Sequence, residues 1–411
     1  MRLMLLLVVN MATAGSAVAQ GFAVHNQNGA GTGTAYSGAA AVAEDASTVY
    51  FNPAGMTYLA AGHHVSGALT LQDRSLKFND EGSNKFLNAY PRGDDGGQAG
   101  GLALIPAGYW TMSVTPDLHV GLGLSPTFGA TTQWSDTYIG RYQGVYSEIK
   151  AANVNPSMAW RVNEFLSLGV GLDVVAFKAE LQGMVPGAAL LDNKTKMSGS
   201  DIGFGYNFGA MLQFTPATRV GLTYRSTIDL NLKGDVEMLG KKTPANVAVE
   251  LPDSASIALS HMINDQLELL SDFTWTGWSS IPSLVIKNRS SGAIISEEKL
   301  GFKDSFRVGL GMQYRYSKPL LLRTGVAFDQ SPVRSAADRT VRMPDSDRIW
   351  LAVGSNYKFT EQTTVDFGYA HVFFDQAAIN RATSNKPELQ VVRGSFDSAV
   401  DIFSVQLNHH F

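Results

Sequence analysis

Apolar and polar residues alternate along most of this chain in segments of about ten residues, joined alternately by short turns and long polar stretches. Residues 201–214 carry the clearest example. Ile202, Phe204, Tyr206, Phe208, Ala210, Leu212 and Phe214 share one side, while Gly203, Gly205, Asn207, Gly209, Met211 and Gln213 share the other. Successive strand residues point to opposite faces, so this is the signature of a strand with one apolar face. A soluble sandwich alternates as well, but its loops are similar in length at both ends. Here they are strongly unequal, which points to a closed barrel with one face on lipid and the other on a lumen.

Short turns stand at Thr115-Pro116-Asp117, Val162-Asn163-Glu164, Thr215-Pro216-Ala217, Asn264-Asp265, Ser317-Lys318-Pro319 and Thr360-Glu361-Gln362. Longer polar stretches fall at about 72–99, 133–147, 182–199, 233–252, 279–303, 330–345 and 377–395. Six turns and seven loops join fourteen strands, so the expected fold is all-β, a 14-stranded antiparallel transmembrane barrel. An even number puts both barrel ends on the short-turn side, which in bacterial outer membranes is periplasmic. Tyr109-Trp110, Trp275, Trp278 and Trp350 lie near strand ends and resemble aromatic girdles. The last strand places Phe403, Val405, Leu407, His409 and Phe411 on one face. A terminal aromatic such as Phe411 resembles the signal that barrel assembly machinery reads.

The mean hydropathy of -0.03 is ordinary, and no apolar run beyond the N-terminus reaches the roughly 18 residues that a membrane helix needs. Any crossing is therefore made by strands. Arg2, the apolar run Leu3 to Val9 and Ala17-Val18-Ala19 read as a secretory signal over 1–19. Without it, 31 basic residues face 36 acidic ones, with no basic tract that would suit nucleic acid. The absence of cysteine excludes disulfides and thiolate chemistry. No composition shift divides the remainder, which reads as one barrel over 63–411 preceded by a separate segment over 20–62.

That segment is rich in Gly, Ala and Asn and lacks strand alternation. Ala39 to Ala46 suits a short helix, and Asn52-Pro53-Ala54-Gly55-Met56 reads as a turn, since Asn caps and Pro fixes φ. Phe22, Val24, Tyr36, Val49, Tyr50, Phe51 and Met56 are too many large apolar groups for a solvated tail. The segment is expected to be a plug, or hatch, folded inside the lumen.

On these motifs the chain resembles the fatty-acid transporter (FadL) family of outer-membrane proteins of Gram-negative bacteria, which also includes aromatic-hydrocarbon channels. The likeness runs in family order through Gly21-Phe22, Ala35-Tyr36-Ser37-Gly38, Ala43-Glu44-Asp45-Ala46 and the Asn52-Pro53-Ala54 turn. It continues through Gly221-Leu222-Thr223-Tyr224-Arg225-Ser226, Asp304-Ser305-Phe306-Arg307, the run Arg323 to Val333, and Pro344-Asp345-Ser346-Asp347-Arg348-Ile349-Trp350. The resemblance implies capture of a hydrophobic ligand, foremost a long-chain fatty acid, between extracellular loops. It then implies an internal apolar pocket, hatch movement at Gly21 and Phe22, and sideways release through a kink in the third strand. In this chain the third strand is about Leu118 to Thr132, and it contains Ser125, Pro126, Thr127, Phe128 and Gly129. Pro126 removes a ladder donor and Gly129 permits a bend. A carboxylate ligand calls for a basic partner, with Lys178 first and Lys299 or Lys303 second. Arg141 is read as a loop or lipopolysaccharide contact. The family's members act as monomers, and outer-membrane lipid is the remaining expected partner.

Hydrocarbon uptake is the alternative ligand reading. A general water-filled porin and an outer-membrane lipid hydrolase are the other classes. Enzyme signals are absent from the sequence: there is no Gly-x-Ser-x-Gly elbow and no His-Glu-x-x-His, and no base is placed for Ser47 or Ser125. His63-His64 and His409-His410 are the adjacent histidine pairs, and strand neighbours diverge, so no metal and no cofactor are expected. Gly121/Gly123, Gly169/Gly171 and Gly309/Gly311 read as places where a strand bends or touches the hatch.

Overall fold

A computed structural model describes residues 21–411; the expected signal, 1–19, lies outside them. In chain order, the strands begin with β1 (His63–Asp80), β2 (Gly101–Ser113), β3 (Leu118–Gln133), β4 (Tyr146–Arg161), β5 (Leu166–Pro186), β6 (Asp192–Thr215) and β7 (Thr218–Arg225). They continue with β8 (Ile228–Met238), β9 (Lys241–Leu251), β10 (Ser254–Met262), β11 (Leu267–Thr276), β12 (Ser283–Asn288) and β13 (Ile294–Lys299). The last are β14 (Ser305–Arg315), β15 (Leu320–Asp329), β16 (Arg348–Lys358), β17 (Thr363–Phe374), β18 (Ala377–Ala382) and β19 (Val391–His410). Fourteen of these form a closed antiparallel wall, as expected. β7 pairs with β10, β11 with β14, β17 with β19, and β19 with β1 from His64↔His410 to Asp80↔Gly394. Closure leaves no wall strand without neighbours, which is what a sheet in lipid requires.

The wall is inverted relative to a soluble protein. On β1, Val65, Leu69 and Leu71 are 40–48% exposed, while Ser66, Thr70 and Gln72 face inward and are buried. On β6, Phe204 is 71% exposed. Apolar outward and polar inward is the barrel pattern, with lipid taking the place of a core.

The remaining five strands decorate the long-loop end. β8 with β9 and β12 with β13 are hairpins, and β18 pairs onto β19. Several stretches that read as polar loops are thus ordered strand. β1 runs to Asp80, β5 to Pro186 and β6 from Asp192, leaving little of 182–199 as loop. Polarity there marks where the wall rises past the apolar belt into water, and the backbone ladder continues regardless. Phe208→Arg, at the centre of the exposed apolar run 202–214, is expected to lower barrel stability by about 2–4 kcal/mol, read from refolding titrations in lipid vesicles; an unchanged midpoint would contradict a lipid-facing position.

Candidate functional site

Residues 21–58 are mostly buried against the inner face of the wall and are held there by two kinds of contact. The first is polar. The segment forms three short helices, α1 (Gly29–Gly33), α2 (Ala39–Val42) and α3 (Thr48–Phe51), then a 3₁₀ turn over Pro53–Tyr58. Asn28 caps α1 by accepting from the Gly31 N–H at 2.9 Å. Asn52 accepts from the Ala54 N–H at 3.1 Å and donates to the Ala40 and Ala210 carbonyls at 2.8 and 3.1 Å. One side chain thus caps the turn, ties it to α2 and fastens it to β6.

Inward arginines complete this attachment. Arg307 pairs with Asp272 at 3.0 Å and donates to the Ala35 carbonyl. Arg323 bridges Glu44 at 2.9 Å and Asp366. Arg225 pairs with Asp173, donates to the Tyr50 carbonyl at 2.9 Å and lies over the Tyr50 ring at 4.7 Å. Wall glycines give the backbone room to approach this closely. A Cβ at Gly169 or Gly209 would strike the Asn52-Pro53-Ala54 turn, and one at Gly221 would strike the Ala40 carbonyl.

The second chemistry is apolar and lies at the start of the segment. Phe22 packs against Trp278 and Phe128, with ring centroids at 4.9 and 5.6 Å, and the chamber extends to Phe177, Ile228 and Leu230. The Gly21 N–H donates to Asp345 at 3.3 Å, and Asp345 is fixed by Arg348 at 2.8 Å and Ser331 at 2.8 Å.

Beside this chamber the wall is broken. β2 and β3 pair only from Gly108↔Leu124 to Ser113↔His119, so residues 101–107 of β2 have no β3 partner. On the other side of β3 the register with β4 shifts between Pro126 and Phe128. The Gln133 N–H to Ala99 carbonyl bond, 3.1 Å, closes the gap above. The N-terminal segment fills it. The Val24 N–H donates to Thr127 at 2.9 Å, the Gly129 N–H donates to Phe22 at 2.8 Å, and Gln27 donates to the Pro126 carbonyl at 2.6 Å. Tyr109 holds Gln27 through a 2.9 Å bond, and Val24 packs on Ala103 and Ile105. A cavity of about 150 Å³ beside it is lined by Val24, His25, Tyr50, Phe128, Arg225 and Arg307.

Phe128 and Gly129 therefore meet Phe22, Pro126 meets Gln27, Ser125 adjoins them on β3, Gly21 sits against Trp278, and Asn52, Pro53 and Ala54 form the seated turn. The lysines are elsewhere. Lys178 is exposed on the outward face of β5 opposite Lys150; Lys299 is exposed at the end of β13; Lys303 is half-buried in the loop that follows. Phe411 is 70% exposed beyond β19. Arg141 is a loop staple, buried and paired with Asp192 at 2.7 Å. A second site was not visible in sequence: a groove of about 310 Å³ among the outer loops, lined by Leu181, Met184, Met197, Ile286, Arg342 and Arg381. Its two arginines come from distant segments, and only the folded loops join them.

His25 sits between the Tyr36 and Trp350 rings with its Nε2 unpartnered. Burial, aided by Arg307 and Arg348, pushes its imidazole down to about 3. A displaced segment would titrate near 6.5 and so bind more protons than the seated one between those values. Seating should therefore weaken as pH falls through that window, by up to about 1.4 kcal/mol per unit. Hydrogen exchange of residues 21–30, corrected for intrinsic rates, should speed up relative to the strands between about pH 7.5 and about pH 5. His25→Gln should abolish the dependence, and equal slopes in the two proteins would contradict the assignment.

The family model for outer membrane protein transport proteins (OMPP1/FadL/TodX) matches residues 10–411. Outer membrane protein P1 of Haemophilus influenzae is 30% identical over 416 residues, covering 90% of this chain and 89% of that one. The long-chain fatty acid transport protein of Salmonella typhi is 28% identical, covering 88% and 89%. The crystal structure of a Pseudomonas aeruginosa FadL homologue superimposes with a TM-score of 0.87 at 22% identity, covering 97% of this chain and all of that one.

Proposed function

The chain belongs to the OMPP1/FadL/TodX family of outer-membrane transport proteins, and from that membership we propose that it carries long-chain fatty acids across the outer membrane by a lateral route. The observation that supports this reading most is the broken β2/β3 seam, filled by Phe22 to Gln27. In the proposed sequence, an amphipathic ligand enters the outer groove, where Arg342 and Arg381 stand beside apolar walls. It then displaces Phe22 from the aromatic chamber, and withdrawal of the segment leaves the seam open to the bilayer. Each methylene kept out of water is worth roughly 0.8 kcal/mol, so an apolar path suits an acyl chain better than a watery pore. Residues 20–62 act as the gate in this scheme, 1–19 as the export signal, and Phe411 as the mark read during assembly of a monomer.

The aromatic lining of the chamber, Phe22, Phe128 and Trp278, supports hydrocarbon uptake as the second reading. The two readings separate in uptake of labelled oleate and labelled toluene by cells carrying the wild type or Pro126→Ala/Gly129→Ala, which restores a ladder donor to β3. Protein-dependent oleate uptake that falls several-fold in the variant is the expected result. A response to toluene alone favours hydrocarbons. Leakage of small sugars with neither would make the chain a porin, and lipid hydrolysis would make it an enzyme.

A further inference from the structure

Arg74 differs from four other inward arginines of the barrel in having no carboxylate partner. It lies on the inner face of β1, opposite Val400 of β19 and Gly101 of β2, and is 6% exposed. Arg225, Arg307, Arg323 and Arg348 each face a carboxylate. Among the described residues the Arg74 side chain makes no hydrogen bond and joins no ion pair, and its Nε is buried without a partner. Asp345 and Arg348 are the charged groups near enough to act on it, but Asp345 is already engaged by Arg348, Ser331 and the Gly21 N–H. A guanidinium removed from water without a counter-charge is costly. Among the described residues only Asp345 offsets part of that cost, and its oxygens are shared with three other groups.

Its position supplies a use. Gly101 begins the stretch of β2 that lacks a β3 partner, so Arg74 stands at the upper end of the broken seam. Leu76, Phe78 and Ala99 form an apolar cluster above it, and Val24, Ala103 and Ile105 form another below. A cation with apolar walls beside an exit to lipid matches a ligand with one anionic end and an apolar remainder. The forked N–H groups of arginine fit the two oxygens of a carboxylate in particular.

We propose that Arg74 anchors the carboxylate of an amphipathic ligand at the lateral opening. This rests on the reading of the chain as a transporter of hydrophobic ligands, and narrows it to those bearing an acid head. A neutral hydrocarbon would leave the guanidinium as it stands. The test uses the full mature protein in non-ionic detergent, comparing binding of oleate with that of oleyl alcohol, which has the same tail and no charge. Arg74→Gln should weaken oleate by about tenfold or more while leaving oleyl alcohol unchanged, and Arg74→Lys should recover part of the loss. The Gln variant removes a charge that no bond holds, so it should keep the heat-modifiable mobility of a folded barrel. Equal oleate affinity in wild type and Arg74→Gln overturns the proposal and leaves the transport reading standing. Equal losses for both ligands overturn it too, marking Arg74 as packing. If wild type binds neither ligand, the transport reading fails and the anchor with it.

Discussion

A backbone N–H or C=O left unpaired in hydrocarbon costs several kcal/mol, and the rest of this structure depends on how that constraint is met. Around most of the barrel the neighbouring strand meets it. At one place it cannot, because Pro126 has no N–H to give and the β3/β4 register slips beside it. There Phe22, Val24 and Gln27 supply donors and acceptors from inside. The N-terminal segment is thus part of the wall as well as a filling for the lumen.

The two chemistries that hold this segment divide the interior. From α1 to the 3₁₀ turn, charged and amide-mediated contacts backed by wall glycines demand fixed geometry, beside apolar packing of Tyr36 with Trp350 and of Val49 and Met56 with Tyr109. Around Phe22 they are aromatic and aliphatic, with looser angular requirements. The segment is thus anchored by directional polar contacts along most of its length, while its beginning adds the aromatic packing of Phe22 to the three hydrogen bonds that join it to β3.

Architecture was legible because two signals with different origins agreed. The period of two along each strand fixed inside and outside, and the unequal connections fixed the count. Loop structure was not legible, since the strands that rise past the membrane lose their apolar face while keeping their ladder, as in residues 192–200 of β6. Gly21, Phe22, Pro126 and Gly129, which lie at or beside the seam, were singled out by local chemistry and family resemblance together. The lysines failed to gather at the chamber because a charge symbol carries no face: Lys178 is one residue from the inward Phe177 and points the opposite way. Arg74 escaped notice for the same reason, since only the folded interior distinguishes a guanidinium that has a carboxylate from one that lacks it.

The sharing of hydrogen bonds between segment and wall also bears on chain length. In the proposed route a ligand must replace three bonds to β3 at about 1 kcal/mol each and the packing of Phe22 at roughly 2–3 kcal/mol. At about 0.8 kcal/mol per methylene, that balance is reached only by an acyl tail on the order of seven carbons. Shorter acids would lodge without unsealing the seam, so the membrane would stay closed to them by thermodynamics and not by the width of any hole.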